Sequence, residues 1–106
     1  MVITSVRINA PPGKRDEIVK TLGSLLGPTR VLPGCLSCNI YQDLENPNML
    51  TLIEEWESRA SLDRHVRSDE FRRILAAIDL ASEPPEIRFC SVASTSGIEL
   101  IEEIRG

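Results

Sequence analysis

Residues Gly34 to Trp56 read GCLSCNIYQDLENPNMLTLIEEW, and the alternation within this run decides the fold. Leu36, Cys38 and Ile40 fall on one side of an extended chain, opposite Cys35, Ser37 and Asn39, which is the period of two that a strand imposes. The same period returns from Met49 to Trp56. There Leu50, Leu52, Glu54 and Trp56 share one face and Met49, Thr51, Ile53 and Glu55 the other. Apolar residues on both sides predict that both faces of this second segment are substantially buried. Between the two segments, Asp43 to Asn48 has turn chemistry centred on Asn46-Pro47-Asn48, because asparagine bonds its own backbone and proline fixes φ. The expectation is an antiparallel hairpin.

Working outward, Val2 to Asn9 alternates with Val2, Val6 and Ile8 on one side, which predicts another half-buried strand. Pro11, Pro12 and Gly13 break it. From Lys14 the apolar positions Ile18, Leu22, Leu25 and Leu26 recur at helical spacing, leaving Lys14, Arg15, Asp16, Glu17 and Lys20 for water. Pro28 and the Pro33-Gly34 pair predict the end of that helix. Ser58 can cap a short helix holding Leu62, His65 and Val66, and Ser68 with Asp69 and Glu70 can open another holding Phe71, Ile74, Leu75 and Ile78. After Pro84-Pro85, the segments Ile87 to Ala93 and, past Gly97, Ile98 to Ile104 both read as strands.

The resulting order, β-α-β-β-α-α-β-β, is an α+β chain: a split βαβ plait with an antiparallel sheet, an extra carboxy-terminal strand and helices on one face only. The uncovered face predicts a second copy packed sheet to sheet about a two-fold axis, so the expected protein partner is the chain itself. With 106 residues, one domain spanning 1–106 is expected.

Composition narrows the function. Twelve basic residues are interspersed with sixteen acids, for a net charge of −4, whereas a nucleic-acid surface needs clustered Lys and Arg. No apolar run approaches the roughly 18 residues needed to span a bilayer, and the first residues lack a secretory pattern. Nucleic acid and membrane are therefore not expected partners, and a cytoplasmic location is expected. Three cysteines in a chain of this size read as reduced thiols. Strict strand alternation would send Cys35 and Cys38 to opposite faces, so their spacing predicts neither a disulfide nor a metal site. One histidine and scattered thiols are too few ligands for a metal.

Pro33-Gly34-Cys35-Leu36-Ser37, Tyr41-Gln42-Asp43 ahead of a turn, Glu54-Glu55-Trp56-Glu57-Ser58, and His65 ahead of Ser68-Asp69-Glu70-Phe71 together resemble the antibiotic biosynthesis monooxygenase family over almost the whole chain. The resemblance implies a ferredoxin-like fold that pairs into a dimeric α+β barrel. It also implies, from the family's cofactor-independent branch, oxidation by O₂ of a deprotonated phenol, quinol or anthrone-like ring in a dry pocket, with no metal or flavin. In that branch a tryptophan at the strand-to-helix junction matches Trp56, while a strand asparagine falls on Leu52 and a helix tyrosine on Leu62. The family's heme-degrading branch fits less well, because its axial histidine falls on Leu75, its pocket tryptophan on His65 and its amino-terminal asparagine on Val6. Heme is not expected.

Among single residues, Trp56 is the only tryptophan and reads either as core or as a pocket wall. His65 is the only histidine, the one side chain suited to trade a proton near neutral pH, or else a half-exposed surface residue beside Arg64 and Arg67. These two are the catalytic candidates. Glu54 faces the pocket or reaches the dimer interface, and an ion pair with an arginine is its structural alternative. Asn9 and Tyr41 are strand-end polar groups able to bind a substrate oxygen, and Leu52, Leu62, Phe71 and Leu75 would line or fill the pocket. The function expected is cofactor-independent monooxygenation of a small aromatic. The alternatives are a non-catalytic dimeric small-molecule-binding module and a heme-free, isomerase-type proton shuttle.

Overall fold

The computed structural model describes residues 1–106. Strands β1 (Val2–Asn9), β2 (Cys35–Gln42), β3 (Met49–Trp56) and β4 (Glu86–Ser91) form one sheet in the order β2-β3-β1-β4, with every neighbouring pair antiparallel. Helix α1 (Arg15–Arg30) connects β1 to β2, while α2 (Arg59–Arg67) and α3 (Asp69–Asp79) lie between β3 and β4. This is the split βαβ plait expected from the hairpin and the elements flanking it.

One face of the sheet carries the core. Val6, Ile8, Leu50, Leu52 and Cys38 pack there against Ile18, Leu22 and Leu25 of α1 and Phe71, Ile74 and Ala77 of α3. A smaller cluster of Val2, Trp56 and Leu62 closes the end of the sheet under α2. The opposite face differs from its expectation. On β3 only the Leu50, Leu52, Glu54 and Trp56 side is fully buried, and Met49, Thr51, Ile53 and Glu55 remain half-buried because no helix covers them.

Three local readings are corrected by the structure. Helix α1 continues through Pro28 to Arg30, since a proline in the last turn forfeits a single i−4 bond. Arg30 then anchors the helix end on β2, donating from Nε to the Cys38 carbonyl at 2.9 Å and from Nη2 to Asn39 at 3.0 Å. Second, the carboxy-terminal segment is not a strand but helix α4 (Ile98–Arg105). Its sequence IELIEEIR satisfies an i, i+3 pattern at Ile98, Ile101 and Ile104, it is rich in helix-favouring Leu, Glu and Arg, and no strand of the chain lies beside it to supply a ladder. All of its apolar side chains are exposed.

Third, a register shift between Cys35 and Ser37 inserts one extra residue into β2, so that Cys35 pairs with Trp56 and Cys38 with Glu54. The bulge cancels one step of the alternation and brings both thiols to the helix-covered face. Leu36, expected beside Cys38, is instead exposed.

Candidate active site

Beneath α2, β3 delivers two side chains to the core side of the sheet: Glu54, with no exposed surface, and Trp56, two residues on and equally buried. A buried carboxylate must find donors. Glu54 finds two: Trp56 Nε1–H donates to its Oε1 at 3.1 Å, and His65 Nε2 lies 3.1 Å from its Oε2. The arginine partner anticipated for Glu54 is not there. Because a carboxylate only accepts, His65 Nε2 is the donor of the pair, which leaves Nδ1 as the basic nitrogen.

Helix α2 aims His65 inward through its caps. Ser58 Oγ accepts from Ser61 N at the start of the helix, and at its end Ser68 Oγ donates to the His65 carbonyl at 2.6 Å while accepting from Phe71 N at 3.3 Å. Ser68 is thus both the end of α2 and the N-cap of α3, and one hydroxyl locks the His65 backbone to the helix that presents Phe71. The imidazole is held between rings, with Trp56 at 4.8 Å and tilted 31°, and Phe71 edge-on at 5.3 Å and 84°. His65 is therefore buried, 2 % exposed, and the half-exposed alternative is overturned. Its Nδ1 has no hydrogen-bond partner, and neither does Thr4 Oγ1, which stands on β1 directly across from Glu54.

A cavity of about 100 Å³ opens on this group, lined by Trp56, His65, Ser61, Arg64, Ser68 and the Leu32-Pro33 segment. Gly34 sets that last wall. Its φ of +84° is a left-handed conformation that glycine adopts freely, and a Cβ there would overlap the Ser61 hydroxyl. A wider groove of about 410 Å³ lies on the other side of Leu62, between α2 and β4, with Val2, Val66, Phe89, Arg59 and Arg67 among its walls.

Of the residues singled out from the sequence, the structure gathers Trp56, His65, Glu54, Leu62 and Phe71 at or around one buried group, with Leu52 next to Glu54 on the same face of β3. Three others lie elsewhere. Asn9 donates from Nδ2 to Glu83 Oε1 at 3.2 Å at the far end of β1. Tyr41 pairs with Thr51 on the uncovered face and is 51 % exposed, and Leu75 is 47 % exposed on α3. Alternation and helical spacing place a side chain only to within a face, and do not say which end of a strand or which turn of a helix meets the buried group.

Thr4, Ser61, Arg64, Ser68, Cys35 and Cys38 were not foreseen as neighbours of the site. Burial and the negative charge of Glu54 together push the Cys35 thiol up, and they push the Cys38 thiol up to about 12. Both stand as neutral thiols beside the carboxylate.

The profile of the antibiotic biosynthesis monooxygenase family matches residues 1–77, the stretch that contains β1 through most of α3 and every member of the buried group. The chain belongs to this family. Another relative is protein sll1783 of the cyanobacterium Synechocystis sp., 30% identical over 95 residues; the match takes in 89% of this chain but 65% of the longer relative. A conserved protein of Methanosarcina mazei, solved by crystallography, is 35% identical with a TM-score of 0.77, covering 85% of this chain and 91% of that one. Rv0793 from Mycobacterium tuberculosis superposes with a TM-score of 0.81 at 24% identity over 91% of this chain and 98% of its own, which is a likeness of fold. The antibiotic biosynthesis monooxygenase match stops at residue 77, so β4 and the exposed α4 lie beyond it.

Proposed function

We propose that this chain is a cofactor-independent monooxygenase acting on a small, electron-rich aromatic such as a phenol, a quinol or an anthrone-like ring. One observation carries the reading: a buried histidine is oriented by a buried carboxylate, its other nitrogen is unpartnered, and a tryptophan-walled cavity lies against it. His65 Nδ1 would take the proton of the ring hydroxyl, and Glu54 would hold the imidazolium that forms. The aromatic anion is then the reductant. The substrate gives up two hydrogens and gains one oxygen atom, the second oxygen leaves as water, and all four electrons come from the ring, so the balance needs no further donor. Leu52, Leu62 and Phe71 keep the neighbourhood apolar, which strengthens each charge interaction within it.

The uncovered sheet face supports a homodimer, and so does the exposed apolar side of α4. Mass in solution checks this, and a stable monomer at micromolar concentration overturns it.

The test of the activity is oxygen uptake by metal-stripped protein with a panel of dihydroquinones, anthrones and catechols. Turnover without added cofactor that drops in His65→Ala and Trp56→Phe, both shown to be folded by circular dichroism, is the expected result. A second reading, a non-catalytic small-molecule-binding module, is favoured by the small cavity and by leucines at positions 52 and 62. Saturable thermal stabilisation with no oxygen uptake across the panel would select it.

A further inference from the structure

We infer that the 100 Å³ cavity beside α2 recognises a single-ring phenol bearing an anionic substituent, with Arg64 as the specificity-determining residue. The inference deepens the reading of His65 as the base and rests on it. Pockets for drug-sized ligands occupy about 300–1,000 Å³, so this smaller cavity suits a single ring. A fused three-ring system can enter only by one edge.

The hydrogen-bonding capacity left in the walls points to the ligand. The Ser68 hydroxyl is committed to the His65 carbonyl, and the Ser61 hydroxyl lies 3.1 Å from that of Ser58. Two groups remain uncommitted. His65 Nδ1 is buried without a partner, and Arg64, which lines the same cavity, makes no ion pair, whereas Arg59 one turn earlier on α2 is taken by Asp63 at 2.6 Å. A cation near the end of a helix also offsets the helix dipole, but Arg67 on the final residue of α2 already does so without touching this cavity.

Between them, an acceptor nitrogen and a guanidinium suit a molecule with one acidic hydroxyl and one fixed negative charge. A guanidinium matches a carboxylate with two parallel donors, and its permanent charge also stabilises the phenolate once the proton has moved to His65. The chain as a whole carries −4 and repels anions at a distance, so selection for a negative substituent has to be local.

Quenching of Trp56, the sole tryptophan, reports on occupancy directly. The probes are 2,5-dihydroxybenzoate, hydroquinone and anthrone, titrated into the wild type and into Arg64→Met, which removes a charge from an exposed helix position. The expected result is that 2,5-dihydroxybenzoate binds about tenfold tighter than hydroquinone and that Arg64→Met abolishes this preference, weakening 2,5-dihydroxybenzoate by a larger factor than hydroquinone. Equal affinity for the two single rings, an Arg64→Met variant that keeps the preference, tighter binding of anthrone, or no quenching by any probe would overturn the inference. Oxygen uptake in parallel separates the two readings. Charge-selective binding without uptake sinks the monooxygenase but not the pocket assignment, and uptake on anthrone that is insensitive to Arg64 does the reverse.

Discussion

Replacing Glu54 by glutamine changes one atom of the buried group, and the structure dictates what must rearrange. The tryptophan N–H can only donate, so the glutamine oxygen stays with Trp56 Nε1, which lies 3.1 Å from Glu54 Oε1 in the wild type. The amide N–H₂ then faces His65 Nε2, where the carboxylate oxygen stood at 3.1 Å. Two donors cannot share that contact, so His65 must become an acceptor at Nε2 and move its proton to Nδ1.

Both hydrogen bonds survive in neutral form. Charge-assisted bonds of about 1.5–3 kcal/mol become neutral ones of about 0.5–1.5, and relief from burying a charge offsets part of the loss. The net cost is about 1–2 kcal/mol. Glu54→Ala, by contrast, orphans two buried N–H groups at about 1–3 kcal/mol each and opens a cavity besides. In Glu54→Gln the base nitrogen is now protonated, so turnover falls by the ~10²–10⁴-fold that general-base catalysis contributes.

The chain has one histidine, so a long-range ¹⁵N–¹H correlation spectrum contains a single imidazole pattern and reads the tautomer without assignment. The wild type should show Nε2–H and Glu54→Gln should show Nδ1–H, with near-native melting. An unchanged tautomer, or full activity in the glutamine variant, refutes the reasoning.

Other expectations follow from single features. Gly34→Ala forces a left-handed φ on a residue with a Cβ and drives that Cβ into Ser61, at about 1–3 kcal/mol; since ~1 kcal/mol moves the melting point of a domain this size by about 4–8 °C, calorimetry should find a drop well outside error. Buried Cys38, its thiol pushed up to about 12, should react with a disulfide reagent only on unfolding. Because Cys38 binds its proton more tightly folded than unfolded, its contribution is flat below about pH 9 and stability falls as pH rises from there toward 12, which chemical denaturation at pH 8, 10 and 11 will detect. Asp43 behaves in the opposite sense: its bidentate bond from Arg7, at 2.9 and 2.7 Å, holds its carboxyl below the usual range. That stabilisation is present above the unfolded carboxylate value and is lost as pH falls through the lowered one, so Asp43→Asn should flatten the acid limb of the stability curve.

Much of this architecture was legible because burial writes a period into the sequence. The hairpin at 34–56, strand β1, the two caps at Ser58 and Ser68, and the face shared by Leu52, Glu54 and Trp56 all follow from periods of two or 3.6 and from hydroxyl chemistry. Helix α4 was misread because Ile98, Leu100 and Ile104 fit an alternating pattern as readily as a helical one over so short a run, and only the lack of a neighbouring strand decides. At the site, sequence could nominate Glu54, Trp56 and His65 singly, but not the bonds among them. His65 lies eleven positions from Glu54, and which groups meet depends on how α2 tilts over the sheet, a tertiary fact with no local signature. Arg64 looked like the other exposed arginines for the same reason.

The bulge at Leu36 acts on β2 as a phase shift acts on a wave. Everything from Ser37 onward keeps its step with β3, while Cys35, Gly34 and Pro33 arrive one residue out of step with what simple alternation would give. Deleting Leu36 would remove the bulge and leave Cys35 opposite Trp56 and Ser37 opposite Glu55, as they already stand, so the Leu32-Pro33 wall and the Glu54, Trp56 and His65 contacts would keep their places. The extra residue is absorbed where the strand begins, so the edge of β2 can gain or lose one residue there without moving the wall of the cavity.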